Sequence, residues 1–368
     1  MISRENLDAF LEGLGILGTG GGGSPTWGRA IMEHDLALGR KATIVEPEDV
    51  PDDAVVASGG IMGSVKVLDT FSPADLMRRW DERFELADAF RVMEETIGRK
   101  IDYVVPCELG GLNTPVILSL GARTGRIVIN GDGLGRASPE THLVSFNGYG
   151  ISLTPMPLVD AVGNVVVVRH GVESTYADSL GRWVITRGGG LGANAHYPMT
   201  GAQLKRAVVP GTIRQALALG EAVLRARCEG ADPVATVAAE LGGRHIHTGT
   251  VERISEEEAE GFYFTRAALS GGAELVIKNE AMALFIGGKL ATIFPDLICM
   301  LDPETGRGLM SAELRVGSRL ALVVAACHPR LRGALASEVG RQAFSPARFG
   351  LPGHRNQPIE ELLPGLRS

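Results

Sequence analysis

The sequence predicts an α/β protein, with an N-terminal parallel or mixed sheet flanked by helices and a smaller β-rich C-terminal domain. Between residues 40 and 145, short β-branched runs alternate with amphipathic stripes, and each strand ends in glycines or polar loop residues. Between 245 and 327 the pattern becomes short apolar strands separated by turns. Glycine usage is the third observation: 49 glycines in 368 residues, not periodic, as tight turns and loop-built ligand sites require.

Taken in order, residues 3–14 read as a helix, with Ser3 as cap and Leu7, Phe10, Leu11 and Leu14 on one stripe. The run LGTGGGGSP (17–25) follows, and Ser24-Pro25 opens a second helix reaching about Gly39. KATIVEP and AVVASGG (54–60) read as strands, and Ser72-Pro73 opens one long helix closing near Gly98. IDYVVPCELGG (101–111) is a buried strand breaking into a loop, NTPVILSLGA a helix, and RIVINGDG (126–133) a strand ending at a further loop. GNVVVVRHG is a strand, RGGGLGANAHYPM a glycine-rich loop, and helices start at Thr212 and at Asp232-Pro233. The expected boundaries are an α/β domain over 1–165, extending to about 240 if the helices belong to it, a mixed then β-rich domain over 166–330, and a tail over 331–368.

A net charge of −7 without a basic run argues against a nucleic-acid partner. No stretch of about 18 apolar residues could span a bilayer, and no charged segment with an apolar core opens the chain. Cys107, Cys228, Cys299 and Cys327 show no CxxC spacing. The expectation is a cytoplasmic, homo-oligomeric protein with reduced thiols and a small-molecule substrate.

Gly18, Gly20 and Gly23 match G-x-G-x-x-G, but a dinucleotide fingerprint needs a buried strand before it, and here a helical stripe precedes. No Gly-Lys-Ser/Thr follows, so the loop is not a Walker A motif, and no nucleotide cofactor is expected. Two readings stay open: a turn needing positive φ, and a row of N–H groups cradling an anion or polar carbonyl.

Ligands of open α/β sheets bind outside the carboxyl ends of the strands. Three strand tips carry unusual residues there: Gly59 and Gly60; Cys107, Glu108, Gly110, Gly111 and Asn113; and Asp132, Arg136 and Glu140. With Gly20, Gly21, Gly22 and Gly23 they are expected to line one cleft. Carboxylates beside an arginine can split acid and base roles or hold a divalent metal. Asp132, Glu108 and His170 are the candidate ligands, and His196 a candidate substrate contact.

LGTGGGGSP, ELGGLN and NGDGLGRASPE, followed by VPGTI, NEAM and PDLICMLDPETG, resemble the S-methyl thiohydantoin desulfurase-like family from about residue 5 to 330. The resemblance implies an α/β N-terminal domain, a β-rich C-terminal one, and hydrolysis of an S-methylated thiohydantoin ring, water replacing the methylthio group. It places the functional stretch on Glu108, Gly110, Gly111, Asn113, Asp132, Arg136 and Glu140. Three nucleophile schemes fit these residue types: hydroxide on a carboxylate-held metal, water activated by Glu108 or Asp132, and the Cys107 thiolate. Arg136 or the glycine-loop amides would stabilise the anionic intermediate.

His245 and His247 share a strand face, where such a pair can ligate a transition metal but more often forms a solvated or hydrogen-bonded surface. Asn279-Glu280 and Asp296 are read as shaping the β module or its contact with the first domain. The acidic run at 256–260 is a solvated face. The competing functions are a non-catalytic subunit of a hydantoinase-type complex and a nucleotide-dependent enzyme.

Overall fold

The computed structural model describes residues 2–63, 72–259 and 262–365. Glu260, the end of the acidic run, and residues 366–368 of the tail lie outside them. In chain order the first half runs α1 (Leu7–Leu17), α2 (Pro25–Ala37), β1 (Ile44–Val45), β2 (Val55–Gly63), α3 (Pro73–Glu82), α4 (Glu85–Ile97), β3 (Tyr103–Pro106), α5 (Asn113–Thr124), β4 (Ile127–Ile129), β5 (Gly131–Asp132), α6 (Ser145–Gly148), β6 (Met156–Asp160) and β7 (Val165–Val168). Then follow α7 (Ser174–Arg187), β8 (Leu191–Thr200), α8 (Gly201–Ala207), β9 (Val209–Pro210), α9 (Thr212–Glu229) and α10 (Pro233–Glu240). The strand-rich half holds β10 (Arg244–Ala259), β11 (Phe262–Leu269), β12 (Ala273–Lys278), β13 (Glu280–Ile286), β14 (Lys289–Ile293), β15 (Leu297–Leu301) and β16 (Arg319–Ala325), and the chain closes with α11 (Pro329–Ala336), α12 (Glu338–Ala343) and α13 (Ile359–Leu362).

The first sheet has seven strands in the order β1-β4-β3-β2-β8-β6-β7. Its first four strands are parallel and the rest antiparallel, so the sheet is mixed. The second is a seven-stranded antiparallel sheet, β14-β13-β12-β11-β10-β16-β15.

Several local expectations change. The stretch read as a glycine-rich loop at 187–199 is largely β8, a buried strand paired on both sides. Its small residues are what a crowded strand needs: a Cβ on Gly192 would meet Val159 O and Ile185 Cδ1 at 2.5 Å. Because β8 joins the first sheet, that sheet runs on past residue 165, which itself opens β7 of a hairpin. The single helix expected over 72–98 is two, broken at Arg83-Phe84 by extended backbone. Ser3 does not cap α1; its N–H donates to Asn6 Oδ1, and the helix starts at Leu7. The tail is packed, with Phe344, Phe349 and Ile359 at most 1% exposed.

The two sheets share their core. One apolar cluster joins Phe10 and Leu14 of α1 and Leu219 and Val223 of α9 to Leu301 and Val323 of the second sheet. Helices α1 and α9 touch backbone to backbone: a Cβ on Gly13 would fall 1.7 Å from Ala216 O, and one on Gly220 1.7 Å from Ala9 O. This contact fixes where α1 ends, and therefore where the glycine loop begins. Gly13→Ala is expected to cost about 1–3 kcal/mol through overpacking, read as a lower urea midpoint. An unchanged midpoint would show that the helices can separate without loss.

Candidate active site

The C-terminal tips of β2 and β3, the glycine loop and the start of β13 surround a cleft of about 1240 Å³. Gly20, Gly22 and Gly23 all have positive φ, a conformation that costs glycine little. The Gly22 carbonyl accepts the N–H groups of Leu112 (3.1 Å) and Asn113 (3.3 Å), while its own N–H donates to Glu280 Oε1 at 3.1 Å. Gly21 must be glycine for the same reason: its Cβ would lie 1.8 Å from that oxygen.

Glu108 follows β3 and lines the cleft. Asn113 Nδ2 donates to its Oε1, and the Ser138 N–H and Oγ donate to Oε2. Burial pushes its pKa up to about 7, against the pull of these donors. Glu280 opens β13 and lines the same cleft while only 3% exposed. Asn279, just before it, has φ +57°, and the Ala281 N–H donates to Thr19 O at 2.9 Å, so both neighbours hold Glu280 toward the loop. Its Oε2 has no hydrogen-bond partner among the described residues. Burial, then the charge of Glu108, raise its pKa to about 8. The cleft thus holds two carboxyl groups whose protons burial retains toward neutral pH. The sequence had assigned Glu280 only a shaping role.

Not every expected residue reaches the cleft. Glu140, Asn113, Gly59, Gly60, Cys107 and His196 line it, as do Gly20, Gly21, Gly22 and Gly23. Asp132 is fully buried beneath it and accepts the Gly135 N–H on both oxygens, closing the turn. Arg136 is also fully buried, donating to the carbonyls of Ala137 (3.0 Å), Asp296 (2.8 Å) and Ala281 (2.7 Å) over the Phe294 ring. It bolts the third strand-tip loop to the second sheet, and neither Asp132 nor Arg136, both expected at the site, lines the cleft. Gly110 and Gly111 sit behind the glycine loop, where a Cβ on Gly110 would meet Gly22 O at 2.3 Å. Asp296 ties the tail, accepting from Cys327 N, Ile359 N and Arg332.

The expected metal group of Asp132, Glu108 and His170 does not form, because Asp132 caps a turn and His170 is exposed. A bulge between His245 and His247 breaks their shared face, and their rings bond to Thr248 Oγ1 and Ser270 O. Among the described residues a different trio, Glu140, His142 and Asp178, brings ligand atoms within 4.8 Å of one another. Its carboxylates are already paired: Glu140 with Lys278 at 2.7 Å and with Arg348, Asp178 with Arg182 at 2.9 Å. Three cations against two carboxylates leave no charge for a divalent ion, so these residues do not fit one as arranged. Burial pushes the Cys107 thiol upward, reinforced by Glu108 and Asp132, which disfavours its thiolate. His196 is buried in β8, held neutral by burial with its pKa down to about 3, and offers an unpartnered Nδ1.

Comparison with known proteins fits this geometry. A model of the S-Me-THD-like N-terminal domain matches residues 5–170, and one of the S-Me-THD-like C-terminal domain matches residues 172–359. The chain belongs to the S-Me-THD-like family. A crystal structure of a protein from Chromobacterium violaceum has the same fold, with a TM-score of 0.73 and 22% identity, covering 97% of this chain and 99% of that one. No curated protein matches the sequence. In this S-Me-THD-like chain the boundary between the two matched domains falls at residues 170–172, yet β8 crosses back into the first sheet. No helix among the described residues is long and apolar enough to cross a membrane.

A site built this way has a stability signature independent of activity. With its folded pKa near 8, above the ordinary 4.5, Glu280 binds its proton more tightly in the native state. Stability therefore falls as pH rises from about 4.5 to about 8, and Gln, which cannot ionise, escapes that loss. Relative to wild type, Glu280→Gln should gain about 4 kcal/mol between pH 5 and pH 8.5. Urea unfolding at both pH values checks this, and an offset independent of pH would refute a raised pKa.

Proposed function

We propose that this protein is a hydrolase acting on a small cyclic amide or thiohydantoin-type ring, water replacing a methylthio group to give a hydantoin and methanethiol. The observation that carries the reading is Glu108: a carboxylate held by Asn113 and Ser138 in a closed-backed cleft, with a pKa near 7. A base poised there is half ionised at neutral pH and strong enough to take a proton from attacking water. The ring carbon bearing sulfur is electrophilic, so the site needs a base, a donor toward ring nitrogen and a polar cradle for the ring. The glycine loop, Asn194 and neutral His196 supply neutral polar groups along the cleft. Family membership supports the same substrate class.

No step in this reading uses a metal or a nucleotide. The purified protein should release methanethiol from an S-methyl thiohydantoin, followed with a thiol reagent, with hydantoin as co-product. Glu108→Gln should lower kcat by about 10²- to 10⁴-fold, whereas Asp132→Asn should act through stability, reducing folded yield more than kcat. Turnover undiminished in a folded Glu108→Gln variant would overturn the assignment of the base.

A further inference from the structure

Attack on the ring needs a proton delivered to the ring nitrogen at the moment Glu108 takes one from water, and Glu108 cannot do both in that step. We propose that Glu280 is the acid of this site, donating its carboxyl proton to the ring nitrogen beside the attacked carbon. The inference deepens the ring-hydrolase reading and rests on it.

The geometry carries it. Glu280 reaches the cleft from the second sheet, whereas Glu108 reaches it from the first. Its Oε1 is fixed by the Gly22 N–H, and Oε2, although buried, meets no partner among the described residues. An ionised carboxylate would leave that oxygen as an unsolvated anion, which is costly. A protonated one carries an O–H that no group among the described residues accepts, on a side chain that lines the cleft. The groups bearing on it are Glu108, which opposes its ionisation, and Arg136, Arg182 and the Gly22 amide, which favour it. Arg182 is already engaged by Asp178, and Arg136 by three carbonyls, so neither donates to Oε2. Glu108 in turn faces Asn113, Ser138 and Arg182.

The step balances. Glu108 takes a proton from water as its oxygen bonds to the ring carbon, while Glu280 protonates the ring nitrogen whose C=N bond becomes single. On collapse, the new hydroxyl returns its proton to Glu280, the C–S bond breaks, and methanethiolate takes the proton held by Glu108. Both residues end as they began, and substrate plus water becomes hydantoin plus methanethiol.

The test combines infrared spectroscopy with kinetics on the full chain, comparing wild type, Glu280→Gln and Glu280→Asp. At pH 7 the wild-type minus Glu280→Gln difference spectrum should show a carboxylic C=O stretch over and above the band of half-protonated Glu108, which both proteins share. With an S-methyl thiohydantoin as substrate, Glu280→Gln should lose about 10²- to 10⁴-fold in kcat with KM little changed. The alkaline limb of its pH profile should disappear while the acid limb, set by Glu108, stays. Glu280→Asp should recover part of the rate. Absence of the protonated band, or wild-type kcat in folded Glu280→Gln, overturns the assignment. A wild type that shows the band but is inert toward S-methyl thiohydantoins overturns the substrate reading, and with it the role of Glu280 in that reaction, while leaving Glu280 as the proton holder of the cleft.

Discussion

The peptide of Gly22 is gripped from both halves of the molecule: its carbonyl accepts from Leu112 and Asn113 of the first, and its N–H donates to Glu280 of the second. A side chain on Gly21 would strike Glu280, and one on Gly110 would strike Gly22. The loop is therefore a spacer of minimum thickness between two walls that each bring one carboxyl group. Arg136 repeats the connection deeper down, its guanidinium spanning to Ala281 and Asp296. If these contacts opened, water would reach both carboxyl groups and the burial that raises their pKa values would be gone.

Burial alone does not sort the acidic residues of this region. Glu108, Glu140, Asp178 and Glu280 are all buried, and desolvation pushes every one upward. The partners decide the outcome. Glu140 and Asp178 have Lys278, Arg348 and Arg182 close by and are held below their ordinary values. Glu108 has neutral donors from Asn113 and Ser138 and Glu280 has one backbone amide, so both stay above. Two carboxyls in one cleft, each disfavouring the other's ionisation, titrate as a pair. Structural acids and reactive acids are thus separated by where the cations stand.

Much of this was legible in the sequence. Alternating strands and helices gave the first sheet, and the strand-tip motif ELGGLN placed Glu108 and Asn113 in the cleft. Other parts were not, each for a local reason. LGANAHYPM has the composition of a loop, and only its pairing with β2 and β6 makes it a strand. Asp132 and Arg136 share a motif with Glu140, but a turn and three carbonyls claim them, and no spacing rule reports which side of a loop a side chain takes. Glu280 lies 172 residues beyond Glu108, and its approach to Gly22 depends on how the second sheet docks. The positive φ at Asn279 is a sequence-compatible hint, since Asn tolerates that region better than most residues, but it names no partner.

Placing base and acid on different sheets has a chemical consequence. Within one short motif, two carboxyls would share the same loop donors and drift toward the same pKa. Here Glu108 is held by side-chain and backbone donors of its own half, whereas Glu280 has a single amide from the loop between the halves. Burial and the neighbouring carboxyl together keep a proton in the cleft, so near neutral pH one member of the pair can be ionised while the other holds its proton. In the proposed reaction the two roles fall to carboxyls from different sheets, and the glycine loop between them contributes one N–H and no side chain.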